Sequence, residues 1–238
     1  MLGWLVLEAV AITDAGSAGE AVTAIPSVIR DTSFGNILAA QALALLGIAA
    51  ALMIERPARH FGAMGLAGMA VVLQAGHSHA YAMAHGLSLL LLSQVMHLLA
   101  AGAWLGGLVP LLLFVREAPS NTSATAAQRF SALGVSCVLV LAATATFQGW
   151  TLAGGLWGLV GTAYGWVLLT KTALFTVLLT FAALNRFRFI PALLRQPSRL
   201  SLRSLVRSIA AEAAVGVLVV LAAGVLSTLE SGMHAHAN

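Results

Sequence analysis

A stretch of about twenty uncharged, apolar residues is long enough to cross the roughly 30 Å of hydrocarbon in a bilayer. This chain is built almost entirely of such stretches. The clearest run from about Gly35 to Ile54, Phe61 to Tyr81, Leu87 to Val115, Phe130 to Ala153, Tyr164 to Ala183 and Ile209 to Leu229. A weaker one, from about Leu2 to Ile25, is broken by Asp14, Gly16, Gly19 and Glu20 and reads as a membrane helix with an unwound outer end. Only 8% of the 238 residues are charged, against about 25% in a soluble domain. The expectation is an all-α, polytopic transmembrane helical bundle of about seven spans, a single domain over residues 1–238.

The basic residues fix an orientation. Arg56 and Arg59 follow the second span, and Arg116 and Arg129 bracket the connection after the fourth. Arg186, Arg188, Arg195, Arg199, Arg203 and Arg207 crowd the connection before the last. The alternate connections, 82–86 and 154–163, hold no Lys or Arg. Of the 12 basic residues only Arg30 and Lys171 fall outside this pattern, so ten share one side. The positive-inside rule makes that side cytoplasmic, with the N-terminus cytoplasmic and the C-terminus periplasmic. The pI near 10.2 therefore reflects topology and contact with lipid headgroups and implies no nucleic-acid partner.

Cys137, the single cysteine, lies in an apolar run and reads as a small core hydrophobe. The start, MLGWLVLEAV, lacks the positively charged region of a cleaved signal peptide. Phosphate-binding loops, a phosphorylated Asp-Lys-Thr motif and dinucleotide fingerprints are all missing, so the chain reads as a non-enzyme.

An imidazole or a charge in hydrocarbon costs several kcal/mol, which makes each such residue a functional candidate. Six of the seven histidines fall on or near the extracytoplasmic face: His77, His79, His85, His97, His234 and His236. Met83, Met96 and Met233 lie beside them, while His60 accompanies Arg56 and Arg59 on the other side. Imidazole and thioether donors together suit copper. His77 and His79, two apart, share one metal only if the helix end unwinds, which Gly76 permits. Otherwise one faces the bundle and the other a neighbour or the interface. His97 lies about ten residues, roughly 15 Å, into its span, with Trp104 two turns on. It reads as a ligand, proton carrier or haem ligand, or as a histidine bonded to a backbone carbonyl. The glycines at 106 and 107 would let a neighbouring helix approach. Lys171 lies two turns into its span, with Glu8, Asp14, Glu20 and Glu212 as conceivable counter-charges, Glu212 poorly matched in depth. Gln148 and Trp150 read equally as interface anchors or as lining of an outer vestibule. The tail SGMHAHAN is either a metal-capturing or a free terminus.

Four segments, in order, carry a family resemblance: TSFGNILAAQALAL, LQAGHSHA, HLLAAGAWLGGLVPLLL (His97–Leu113) and TAYGWVLLTKTALFTVLLTFAALNRFRFIPAL (Thr162–Leu193), followed by LVRSIAAEAAVGVLVVLAAGVLSTL. Over about 32–229 the chain resembles the copper resistance protein D family. The resemblance implies a bacterial inner-membrane, multi-pass protein that imports copper from the periplasm, often with a small periplasmic copper-binding protein of the CopC kind. It carries His77, His97, Trp104, Lys171 and Glu212 over as pattern positions. Relatives usually have a further helix upstream of the region this chain shares with them.

The expected function is copper transport from the periplasmic side towards the cytoplasm. His77, His79, His97, His85, Met83, Met96, His234 and His236 are the candidate ligands for a copper ion, Cu(I) or Cu(II). Trp104, Lys171 and Glu212 are supporting residues. Two alternatives stand beside it. One is a haem-b electron-transfer protein using histidines on facing helices; the other is a copper-binding membrane subunit without transport.

Overall fold

A computed structural model describes residues 26–27, 29–55, 59–77, 89–152 and 156–229. All regular structure among them is helical. Five helices are long and apolar enough to cross a membrane: 35–53, 89–117, 120–152, 163–195 and 199–228. They coincide with five of the seven expected spans. The run expected over 61–81 forms a helix of 16 residues, Arg59–Gln74, and residues 78–81 lie outside the described set. The weak first segment, 2–25, lies outside it as well.

The chain divides into two compact units, residues 1–84 and 85–238. In the first, α1 (Ser33–Met53) packs on α2 (Arg59–Gln74). Thr32 caps α1, its hydroxyl accepting from the Gly35 N–H at 2.9 Å, the usual way a helix start satisfies a free amide. The pair is tied across by Gln41, whose Nε2 donates to the Ala70 carbonyl at 3.2 Å and to Gln74 Oε1 at 3.0 Å. After Gln74 the chain tightens into a 3₁₀ turn, Ala75–His77. A side chain at Gly76 would come within 2.6 Å of Ile37 Cδ1, so glycine serves close packing there.

The second unit holds α3 (Leu89–Glu117), α4 (Ser120–Leu152), the short α5 (Leu156–Gly161), α6 (Ala163–Leu184), α7 (Ile190–Arg195) and α8 (Arg199–Thr228). A π turn, Asn185–Phe189, joins α6 to α7. Thr162 and Ser198 cap α6 and α8 through their hydroxyls. The reversal between α3 and α4 takes only Ala118 and Pro119, and Ser123 Oγ donates back to the Ala118 carbonyl at 3.1 Å. α3 runs against α4, while α8 packs on both α6 and α3. Two apolar clusters fill the interior. One joins Leu108, Val115, Ala127, Ile190, Leu205 and Ile209; the other joins Ala100, Trp104, Cys137, Leu141 and Leu178. Cys137 is thus a buried free thiol in a hydrophobic cluster.

The outward faces are those of a protein solvated by lipid. Leucine, valine and phenylalanine dominate them, with Leu139 65% and Leu221 60% exposed. Apolar surface on that scale is untenable in water. The threonines on these faces satisfy themselves: Thr146, Thr170, Thr172, Thr176 and Thr180 each donate to the carbonyl four residues earlier, at 2.8–3.0 Å. Without water, an unpaired hydroxyl would otherwise go unsatisfied.

Close approach of α3 and α4 depends on one of the two adjacent glycines. A Cβ on Gly107 would sit 2.5 Å from Phe130 Cε2, whereas Gly106 faces open space. Neighbouring helical positions are about 100° apart, so only one can face the partner. Gly106→Ala gains helix propensity of up to about 1 kcal/mol. Gly107→Ala should melt about 1–3 kcal/mol less stable than Gly106→Ala, because the Phe130 ring must move within a packed core. Thermal unfolding of the detergent-solubilised variants measures the difference; equal midpoints would mean that the two helices are not held at this glycine.

Candidate functional site

The polar centre of the second unit is a carboxylate. Glu212, mid-way along α8, is 3% exposed. The Trp104 indole N–H donates to Oε1 at 3.1 Å, and the Asn185 amide Nδ2 donates to Oε2 at 2.6 Å. Three elements are needed to build this: α3 for the indole, the first residue of the π turn for the carboxamide, and α8 for the acid. A π turn closes its backbone with an i→i+5 bond, here from the Ile190 N–H to the Asn185 carbonyl. Such turns recur at functional sites. Trp104 is held in turn by an edge-on contact with Phe175, ring centroids 6.2 Å apart, and lies against Gly134. Two buried oxygens close by have no partner in the described structure: Asn185 Oδ1 and the hydroxyl of Ser208, one turn before Glu212.

Two cavities open inside this unit. The first, about 370 Å³, is lined by Glu212, Asn185, Arg186 and the apolar cluster around Leu108. The second, about 270 Å³, is lined by His97, Gln148, Tyr164, Lys171 and Phe175. Trp104 is the one residue that lines both. It forms a partition, with the carboxylate on one side and the imidazole on the other. Along the bundle, the first cavity lies towards the helix ends that carry Arg116, Arg129 and the six arginines from 186 to 207. The second lies towards the ends without them.

His97 is oriented by Thr144 of α4, with Nδ1 and Oγ1 2.9 Å apart. The threonine has a single hydroxyl hydrogen, and it donates to the Val140 carbonyl at 2.7 Å. With the hydroxyl hydrogen on that carbonyl, the threonine oxygen accepts from His97 and Nδ1 carries the ring proton. That leaves the lone pair on Nε2, the form in which an imidazole binds a metal. Histidine ligands are commonly oriented in this way through the other ring nitrogen.

The remaining candidates divide as follows. Met96, next to His97, is 43% exposed and does not line the cavity. His77 closes the 3₁₀ turn of the first unit; its side chain, and all of His79, Met83, His85, His234 and His236, lie outside the described residues. Among the described residues no three His, Cys, Asp or Glu side chains are grouped to hold a metal ion. Lys171 and Glu212 line different cavities, in keeping with their poor match in depth; Glu8, Asp14 and Glu20 are not described. Gln148 lines the outer cavity and donates to Ser93 Oγ at 3.1 Å, while Trp150 is 87% exposed. His60 is exposed beside Arg59. Sequence reasoning passed over Thr144, Asn185 and Ser208. The one signal it had was a polar residue, Asn185, at the end of an apolar span.

A lipid-solvated bundle with a buried carboxylate, an oriented imidazole and two cavities between its helices defines a polytopic membrane protein with polar groups in its interior. Comparison narrows the class. Residues 124–226 match the family described as Copper resistance protein D, and residues 1–89 match the Copper resistance protein D-like, N-terminal domain. The chain belongs to the copper resistance protein D family. The N-terminal match takes in the stretch before Thr32, which lay outside the resemblance read from sequence; the segment His97–Leu113 falls between the two matches. The copper transport protein CutJ of Bacillus subtilis (strain 168) is 30% identical over 145 residues, 59% of this chain. The chain spans 25% of the length of that curated relative. No solved structure matches.

Trp104→Phe should keep the aromatic packing and remove one of the two donors on Glu212. Leaving a buried acceptor short of a partner costs about 1–3 kcal/mol. The variant should therefore melt below wild type, whereas Trp166→Phe, at a position 61% exposed, should not. Thermal unfolding in one detergent checks both; a Trp104→Phe midpoint equal to wild type would deny the indole bond its structural weight.

Proposed function

We propose that this protein transports copper across a bacterial inner membrane, taking the ion from the periplasmic side through histidine and methionine donors towards the cytoplasm. The observation that carries the reading is His97: an imidazole within the bundle, lining a cavity and held through Nδ1 by Thr144. Family membership and the likeness to a copper transport protein supply the identity of the ion. The basic residues at one end of the bundle support placing the His97 cavity towards the periplasm, within a chain of about seven spans with its N-terminus cytoplasmic.

In this reading copper is the cargo. His97 would hold it within its own unit, and the sequence offers His77, His79, Met83, His85, His234 and His236 as further candidate donors on the periplasmic side. Cu(I) or Cu(II) would be taken according to which of the sulfur and nitrogen donors complete the set. A periplasmic CopC-like protein would deliver it. Lys171 lines the same cavity as His97. The haem alternative needs two axial imidazoles, and His97 is the one histidine among the described residues lining this cavity.

Two measurements test the reading. Cells expressing His97→Ala should accumulate copper at least roughly tenfold more slowly than wild type, since even outer partners of a metal ligand contribute 10–100-fold to affinity. Unchanged uptake would take His97 off the path. Thr144→Val removes only the orienting hydroxyl, so copper affinity of the purified protein should fall by about tenfold with the fold intact. Competition with a chromophoric copper chelator reads it directly, and an unchanged affinity would mean that the tautomer is not set by Thr144.

A further inference from the structure

The transport reading leaves the polar group at the partition without a task. Glu212 is buried in the membrane interior and is not paired with Lys or Arg in the described structure. Its two oxygens accept from neutral N–H donors alone, on Trp104 and Asn185. A carboxylate in hydrocarbon is retained only when its charge is balanced. The titratable groups facing the two cavities are few. Arg186 shares the first cavity with Glu212, and its guanidinium donates to Ser131 Oγ at 3.2 Å. His97, Tyr164 and Lys171 face the second cavity, beyond the Trp104 ring. Cys137, packed against Trp104, belongs to the apolar cluster.

The geometry points to Glu212 as a proton-binding site at the wall between the two cavities, read by Asn185 and Trp104 and serving the ion that crosses that wall. The inference rests on the transport reading for its purpose, though not for the site itself. Asn185 is suited to the task because a carboxamide presents a donor at one end and an acceptor at the other. With Glu212 ionised, Nδ2–H donates to Oε2. With a proton on Oε2, the carboxamide turns over, and the new O–H donates to Oδ1, the atom now buried without a partner. The separation of 2.6 Å falls within the range of an O–H···O bond and below that of N–H···O. Ser208, 6% exposed, offers a second unpartnered oxygen one turn away on α8. A metal cation is the poorer occupant, since the nearby carboxyl oxygens are already engaged and no three-ligand group exists among the described residues.

The consequence falls on Trp104. Ionised Glu212 is the stronger acceptor for the indole N–H and holds the ring across the passage. Protonation weakens that bond and leaves the ring held by Phe175 and its apolar neighbours. Just beyond it, α3 is loosened: Pro110 has no N–H for the Gly106 carbonyl, and Gly106 faces open space.

Infrared difference spectra recorded through a pH titration of the purified protein read the site without any copper. We expect a protonated-carboxyl C=O band in wild type that Glu212→Gln lacks, together with an indole N–H shift that Trp104→Phe removes. A wild type without that band, or Glu212→Gln with it, overturns the proposal. In liposomes supplied with copper, wild type should show internal pH change accompanying copper entry, and Glu212→Gln should lose that change while still binding copper at the outer face. Copper entry without a pH response in wild type, or a response that follows sodium instead, overturns it. If no variant moves copper, the transport reading fails, and the infrared band still decides the proton site.

Discussion

The buried carboxylate of Glu212 is the constraint to which the second unit is shaped. An acid in the membrane interior must be surrounded by donors, and the donors come from three separate elements. The indole of Trp104 requires α3 to lie flat against α8, and Gly134 leaves room for the ring on the α4 side. The carboxamide of Asn185 requires the last turn of α6 to widen into a π turn before Pro191 begins α7. Apolar packing alone would tolerate many arrangements of these helices, since lipid is as good a solvent for leucine as another helix is. The hydrogen bonds to Glu212 select one.

From that arrangement the cavities follow. The Trp104 ring, pinned by Glu212 on one side and by the edge-on Phe175 on another, lines both of them. On one side, His97, oriented by Thr144, lines a cavity; on the other, Asn185 and Arg186 line a second, towards the arginine-rich end. The chain's membership of the copper resistance protein D family is consistent with an imidazole donor in its interior.

The sequence made the membrane character legible because length and lack of charge are one-dimensional properties. Five helices occur where apolar runs of about twenty residues occur, and the arginines gather at one end of α3, α4, α6 and α8. Single-residue facing was not legible. The two glycines at 106 and 107 look alike in sequence, yet only Gly107 meets Phe130. Gln148 turns inward and Trp150 outward, although they are two residues apart. Pairings across long separations were likewise hidden. His97 finds Thr144 47 residues away, and Glu212 finds Trp104 108 away. Asn185 reaches Glu212 only because a π turn, which no periodicity announces, resets its direction. Of the histidine cluster that dominated the sequence, the described residues contain the His97 side chain, so that donor set still rests on composition and charge pattern.

The most direct test of the account is the coordination of copper in the purified protein. X-ray absorption at the copper edge, with metal content and a visible spectrum taken on the same sample, should show bound copper with imidazole and sulfur scatterers. The imidazole component should fall in His97→Ala. Protein that retains no copper, or whose spectrum shows the Soret band of haem in place of a colourless metal site, would contradict it.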